Sequence, residues 1–249
     1  MISRGAWMGS AALVVAAAGL WPACALAETA VEAPVLKVGD HWVYKETTER
    51  GAAYREELVD VVVDRIAGKY VEISTKQPDS PAPALDRLVP ADWSRERSVN
   101  GKLTIVNRPL NFPLQEGKRW TVEYTELNPA RLVKSEHLHV DYTVGGWEDI
   151  QTPAGVFRAL KIEAEGDWTK ETAPAVVSGG VAEADASGAG SSAQSRRLPS
   201  QTGSGRIYKV FWYVPEIKRF AKVTEEIFNS SGVRSERTTG TLQSFKPAT

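Results

Sequence analysis

The feature that most constrains this chain is an alternation of apolar and polar residues with a period of two. In ELVDVVVDRI, Val59, Val61 and Val63 share one face while Asp60 and Asp64 take the other. Val71 and Ile73 repeat the pattern in GKYVEIST, and Trp120, Val122 and Tyr124 do so against Thr121, Glu123 and Thr125. Leu138, Val140, Tyr142 and Val144 alternate with His137, His139, Asp141 and Thr143. Successive side chains of a strand leave opposite faces, so each run is suited to burial on one side and solvent on the other. Such runs, broken by Gly, Pro and Asn clusters, build antiparallel sheets. The expected fold is all-β, with an antiparallel sheet or sheets forming a sandwich or an open half-barrel. The best candidate for a helical turn is PALDRLVPADWSRER, and Pro90 limits it to one.

The first 27 residues read as a targeting signal rather than structure. Arg4 precedes an uncharged apolar run, Pro22 breaks it, and Ala25-Leu26-Ala27 is a small-x-small cleavage site. Cleavage is expected between Ala27 and Glu28, leaving residues 28–249 as a single β domain in the periplasm or outside the cell. Gly5 to Ala27 is long enough to span a bilayer, but Pro22 and the cleavage site favour removal. Lipidation needs an apolar-small-small-Cys box. Cys24 follows Trp21-Pro22-Ala23, which speaks against a lipoprotein. Cys24 is the only cysteine. Its loss would leave no disulfide, thiolate nucleophile or thiolate metal site. Lys+Arg number 30 against 31 Asp+Glu, with no long block of either sign, so nucleic acid is not an expected partner. No second apolar run approaches membrane-spanning length.

Two segments read as irregular. QPDSPAP holds three prolines in seven residues, an exposed connector. Residues 173–205 are rich in Gly, Ser and Ala and contain no aromatic residue. They bury too little apolar surface to offset ordering entropy, so a disordered insertion extending a hairpin is expected. There is also an internal echo. LKVGDHW and LQEGKRW share Leu-x-x-Gly-x-x-Trp, in which a glycine supplies a turn and a tryptophan then enters a strand facing inward.

GWEDIQTPAGVFRALKIE reads as a well-made hairpin. Pro153 presets a turn that Gly155 closes, while Gly145-Gly146 is a candidate bulge that re-aims Trp147. In EHLHVDY, His137, His139 and Asp141 leave one strand face at a spacing that can grip a metal. The alternation is so regular that the preferred reading of the same three residues is the solvent side of the strand. A third histidine, His41, would have to return close by. No Gly-x-Ser-x-Gly elbow or phosphate-binding loop is present, and no cofactor is implied. Phe211, Trp212 and Tyr213 make VFWYV apolar on both faces, so one face either lines a cleft for an apolar ligand, with Trp147, or is core.

Four stretches carry a family resemblance: VGDHWVYKE, PLNFPLQEGKRWTVEY, EDIQTPAGVFRALKIE and KVFWYVPEIKRFAKVTE, in that order. Together they resemble the TapB-like proteins of unknown function exported to the bacterial envelope. The resemblance implies an antiparallel β fold, a periplasmic or outer-membrane-associated location, and no catalytic residues. The expected function is a non-catalytic envelope protein that binds an amphipathic small molecule or an envelope component. The alternatives are a metal-dependent or hydrolytic enzyme on the His137/His139 strand, or a structural accessory protein acting through protein contacts.

Overall fold

In the computed structural model, which describes residues 30–185 and 188–248, fourteen strands follow one another along the chain. They are β1 (His41–Arg50), β2 (Ala53–Ala67), β3 (Tyr70–Lys76), β4 (Leu85–Pro90), β5 (Arg95–Val99), β6 (Lys102–Asn107) and β7 (Arg119–Ala130). The second half holds β8 (Val133–Thr152), β9 (Gly155–Thr172), β10 (Ala175–Asp185), β11 (Gly188–Leu198), β12 (Thr202–Val214), β13 (Arg219–Asn229) and β14 (Arg234–Lys246). Ten of them form one open sheet in the order β4-β3-β2-β1-β14-β13-β12-β9-β8-β7. Every neighbouring pair is antiparallel. The fold is all-β, and its main sheet does not close into a barrel.

The alternating runs become the covered face of that sheet. Trp42, Val61, Val63, Val71, Ile73, Val140, Tyr142 and Val144 are all buried. Their side is called the inner face below. Residues 91–118 cross it as a strap. Its β5–β6 hairpin ties to β7 through Arg97 to Glu126 and through Asn100 to the backbone of Thr125 and Leu127. Asn107 reaches both Tyr142 of β8 and Lys209 of β12, and Leu110 and Leu114 fill the space beneath. The two glycines of the internal echo, Gly39 and Gly117, both have positive φ (95° and 79°). Trp42 then enters β1 fully buried, and Trp120 stacks on Tyr142 at 5.3 Å.

The hairpin of β8 and β9 pairs Thr152 with Gly155 around Pro153-Ala154, and its register shifts between Val144 and Trp147, the expected glycine bulge. The expected helical turn is corrected. Residues 85–90 pair along β3, with Val71 opposite Val89 and Ile73 opposite Arg87. An available sheet edge satisfies six residues of backbone where one helical turn would satisfy few. The one helical element among the described residues is the 3-10 turn Pro215–Ile217. The insertion leaves between β9 and β12, and its strands β10 and β11 form a separate two-stranded ribbon. It closes earlier than 205, because Thr202 to Gly205 already pair with β9. Gly205 is fixed there by packing: an added Cβ would lie 1.9 Å from the Phe228 carbonyl and 2.7 Å from the Trp168 indole nitrogen.

Candidate functional site

The alternation HWVYKE at the start of β1 sends Trp42, Tyr44 and Glu46 to the same inner face. Trp42 and Tyr44 are buried there, and Glu46 follows them as a half-buried carboxylate. Opposite them, the chain leaves β12 through the 3-10 turn, passes Lys218 in a left-handed conformation (φ 61°), and starts β13 at Arg219. Three aromatic residues hold this corner. The Trp42 indole donates to the Ile217 carbonyl (2.8 Å), the Trp93 indole to that of Lys218 (2.9 Å), and the Tyr44 hydroxyl to that of Phe220 (2.6 Å).

The same three rings enclose the Arg219 guanidinium, whose carbon lies 5.5 Å from the Trp42 ring, 5.1 Å from Tyr44 and 4.4 Å from Trp93. Such cation–π contacts fix the plane and position of the group. Their polar atoms are already committed to backbone carbonyls and cannot serve it. Arg219 Nη1 is sealed from solvent and has no hydrogen-bond partner among the described residues. Burial pulls its pKa below the ordinary value, against the opposing pull of Tyr44 and Glu46, yet an arginine stays charged. Burial also pushes the Tyr44 hydroxyl up to about 12.

Two grooves meet at Glu46 and Arg219. The larger, about 420 Å³, runs from Arg219 across Val59, Val61 and Ile73 to Leu85, beside Ala82 and Pro83 of the β3–β4 connector. The smaller, about 250 Å³, lies over Gly240 beside Phe220, Val223 and Glu225. Gly240 leaves that space open, since an added Cβ would meet nothing within 4 Å. Burial, and then the Glu57 directly opposite on β2, raise the pKa of Glu46, partly countered by Arg219, Arg87 and Arg55. Glu57 is engaged by Gln77 and Arg55, and Glu225 lies 3.5 Å from Lys209. No histidine or cysteine lines either groove. This arrangement can hold an anion beside an apolar surface.

The residues singled out in the sequence lie elsewhere. Phe211 and Tyr213 are 2% and 1% exposed, packed on Phe220 and, for Tyr213, on Phe112 of the strap. Trp212 leaves the opposite face, where its indole donates to Glu148 and Lys222 lies 4.9 Å over its ring. Trp147, half-buried, packs on the core opposite Leu160. In VFWYV, Phe211 and Tyr213 are core, while Trp212 on the other face is half-buried beside Glu148 and Lys222. His137 and His139 each lie 3.6 Å from Glu123, and His139 lies 3.2 Å from Asp141, all on an exposed face. His41 sits on β1, with four strands between it and β8. Among the described residues, no group of three or more His, Cys, Asp or Glu is placed to hold a metal ion. Arg219, Glu46 and Trp93 were not foreseen. The signal for Glu46 was its parity: counted by twos from Trp42, it falls on the inner face.

No family model matches the chain, and no curated protein matches it. Similar solved structures include a protein named as a candidate lipoprotein from Parabacteroides distasonis, at TM-score 0.42 and 12% identity, covering 88% of this chain and 100% of that one. A second, from Bacteroides fragilis, is named as a candidate exported protein with a YmcC-like fold, at TM-score 0.37 and 13% identity, covering 88% and 100%. The hypothetical lipoprotein YmcC of Escherichia coli gives TM-score 0.34 and 12% identity, covering 84% and 85%. Likeness this loose carries no argument about function, and the TapB-like resemblance gains no family match. Two of the three names include the word lipoprotein, so the reading against lipidation finds no support in them. Cys24 and the expected cleavage site lie outside the described residues. Among those residues no helix is long and apolar enough to cross a membrane.

Proposed function

We propose that this chain is an exported bacterial envelope protein that binds an amphipathic molecule on the inner face of its sheet and performs no catalysis. The basic start, apolar run and Ala25-Leu26-Ala27 support export to the periplasm or beyond. The observation that carries the binding reading is the groove of about 420 Å³, with a floor of Val59, Val61 and Ile73, the half-buried Arg219 guanidinium at its end, and Glu46, Glu57, Lys76 and Arg87 also lining it. Ligand sites are of this size, apolar with a few fixed polar groups. The ligand reading is placed here at the neighbouring corner of β13 and β1 rather than on the VFWYV strand, where Phe211 and Tyr213 are packed.

Native mass spectrometry of the full protein taken from its own envelope tests this. A retained amphiphile at unit stoichiometry is the expected result. A bare chain, a bound metal ion or a co-purified protein in its place would overturn it. Terminal sequencing of the same sample is expected to start at Glu28, and a lipidated Cys24 would overturn that expectation.

A further inference from the structure

Resting on the reading just given, we propose that the groove is selective for a singly charged carboxylate on a long apolar chain, with Arg219 as the residue that recognises the head. Arg219 lines both grooves, its Nη1 lacks an acceptor among the described residues, and the three rings around it have no spare polar atom to offer. A guanidinium presents a planar fork that matches a carboxylate. The surrounding charge limits the head to one negative unit. Glu46 lines both grooves beside Arg219, Glu57 lines the larger and Glu225 the smaller, while the larger groove's other cations, Lys76 and Arg87, stand on β3 and β4 toward the tail, so a second negative charge at the head would meet Glu46 first.

The tail follows from the same geometry. From the Arg219 head, held over β1, the larger groove crosses β2 and β3 to Leu85 of β4. Three strand spacings give about 14 Å of path. Val59, Val61 and Ile73 form the floor, and Ala82 and Pro83 of the connector form a wall. The connector, read in the sequence as a plain exposed link, thereby becomes part of the site.

The test is calorimetric titration of the full mature protein with dodecanoate, methyl dodecanoate and dodecyl phosphate, with thermal unfolding recorded for each variant. Wild type is expected to bind dodecanoate at least about tenfold tighter than the ester, the value of one charge-assisted hydrogen bond. Arg219→Gln should fall to the ester's level, and Arg219→Lys, which keeps the charge without the fork, should lie between. Glu46→Gln should tighten dodecanoate binding and leave the fold as stable as before.

Equal binding of acid and ester by wild type would overturn the inference while leaving the amphiphile reading intact. So would tighter binding of the phosphate, or an Arg219→Lys variant that unfolds normally and binds acid and ester alike. A Glu46→Gln variant that unfolds markedly earlier would assign Glu46 as the structural partner of Arg219, which also overturns it. Failure of wild type to bind any of the three would overturn both readings.

Discussion

Lys218 and Arg219 are adjacent in the chain and both turn away from bulk water, yet they end among different neighbours. Lys218 Nζ lies 2.7 and 2.9 Å from the two carboxylate oxygens of Asp40, which is completely buried. Each of those oxygens also accepts a backbone N–H, one from Lys37 (2.8 Å) and one from Ala248 (3.0 Å). The pair is closed: it ties the start of β1 to the 3-10 turn and to the end of β14. Arg219 is held as firmly by three rings but keeps one donor without an acceptor. A buried charge with every hydrogen-bonding site filled fastens a fold. One that is fixed in position but incompletely bonded keeps hydrogen-bonding capacity in reserve, which is the basis of the binding proposal made for Arg219.

The sharpest way to break this comparison is to open the closed pair. Asp40→Asn leaves Lys218 buried without its counter-charge, and Lys218→Met does the converse. Each is expected to cost about 3–5 kcal/mol in urea unfolding, the usual result of removing one partner of a buried pair. The pH dependence follows from the carboxyl's direction of shift. Burial alone would raise the Asp40 pKa, but Lys218 and the Ala248 and Lys37 amides outweigh it and bring it below its ordinary value. Its contribution to stability is therefore whole above the unfolded carboxyl's value of about 3.9 and is lost as pH falls through the lower folded value. Asp40→Asn should flatten the stability–pH curve in that acid window. A loss under about 1 kcal/mol, with the acid slope unchanged, would make the pair an ordinary surface bridge.

A smaller effect is expected at Arg219. Arg219→Met keeps an apolar stem among Trp42, Tyr44 and Trp93 and removes the charge. The cation–π attraction lost, about 0.5–2 kcal/mol, is offset by relief of an unsatisfied buried donor, about 1–3 kcal/mol. The net change in unfolding free energy should be within about 1 kcal/mol. If Arg219→Met destabilises as much as Asp40→Asn, both cations are structural and the contrast between them disappears.

Much of the fold was legible in single runs of sequence. The inner face is written in Val59-Val61-Val63 and in Leu138-Val140-Tyr142-Val144, because a strand's faces alternate whatever its partners are. Gly39 and Gly117 announced their positive φ, and Gly145-Gly146 its bulge. The strand at Leu85–Pro90 was not legible, since its stability comes from pairing with β3 rather than from its own pattern. The end of the insertion was missed for a similar reason: Gly205 looks like a linker residue until Trp168 and Phe228 are packed against it. The candidate site was mostly hidden. Trp42, Trp93 and Arg219 come together only when β13 returns to pair through β14 with β1. Sequence drew attention to VFWYV, one turn upstream, where the aromatic density belongs to the core.

A third charged cluster, on the outer face of β8, extends the comparison to full exposure and carries the smallest expected effect. Asp141 accepts a hydrogen bond from the His139 ring at 3.2 Å, and this first, with Glu123 beside it, holds the His139 pKa above its ordinary value. A group raised in this way adds stability below its unfolded value, about 6.5, and loses it as pH rises through the folded one. In water that contribution is strongly screened, so replacing His137 and His139 together with Gln should leave the unfolding midpoint unresolved from wild type. The observable is instead spectroscopic. Proton NMR should give His139 a titration midpoint above the ordinary histidine value, and Asp141→Asn should bring it back down. Added zinc should leave the unfolding midpoint of the wild type where it was. If zinc raises it in the wild type and not in the double variant, this strand is a metal site.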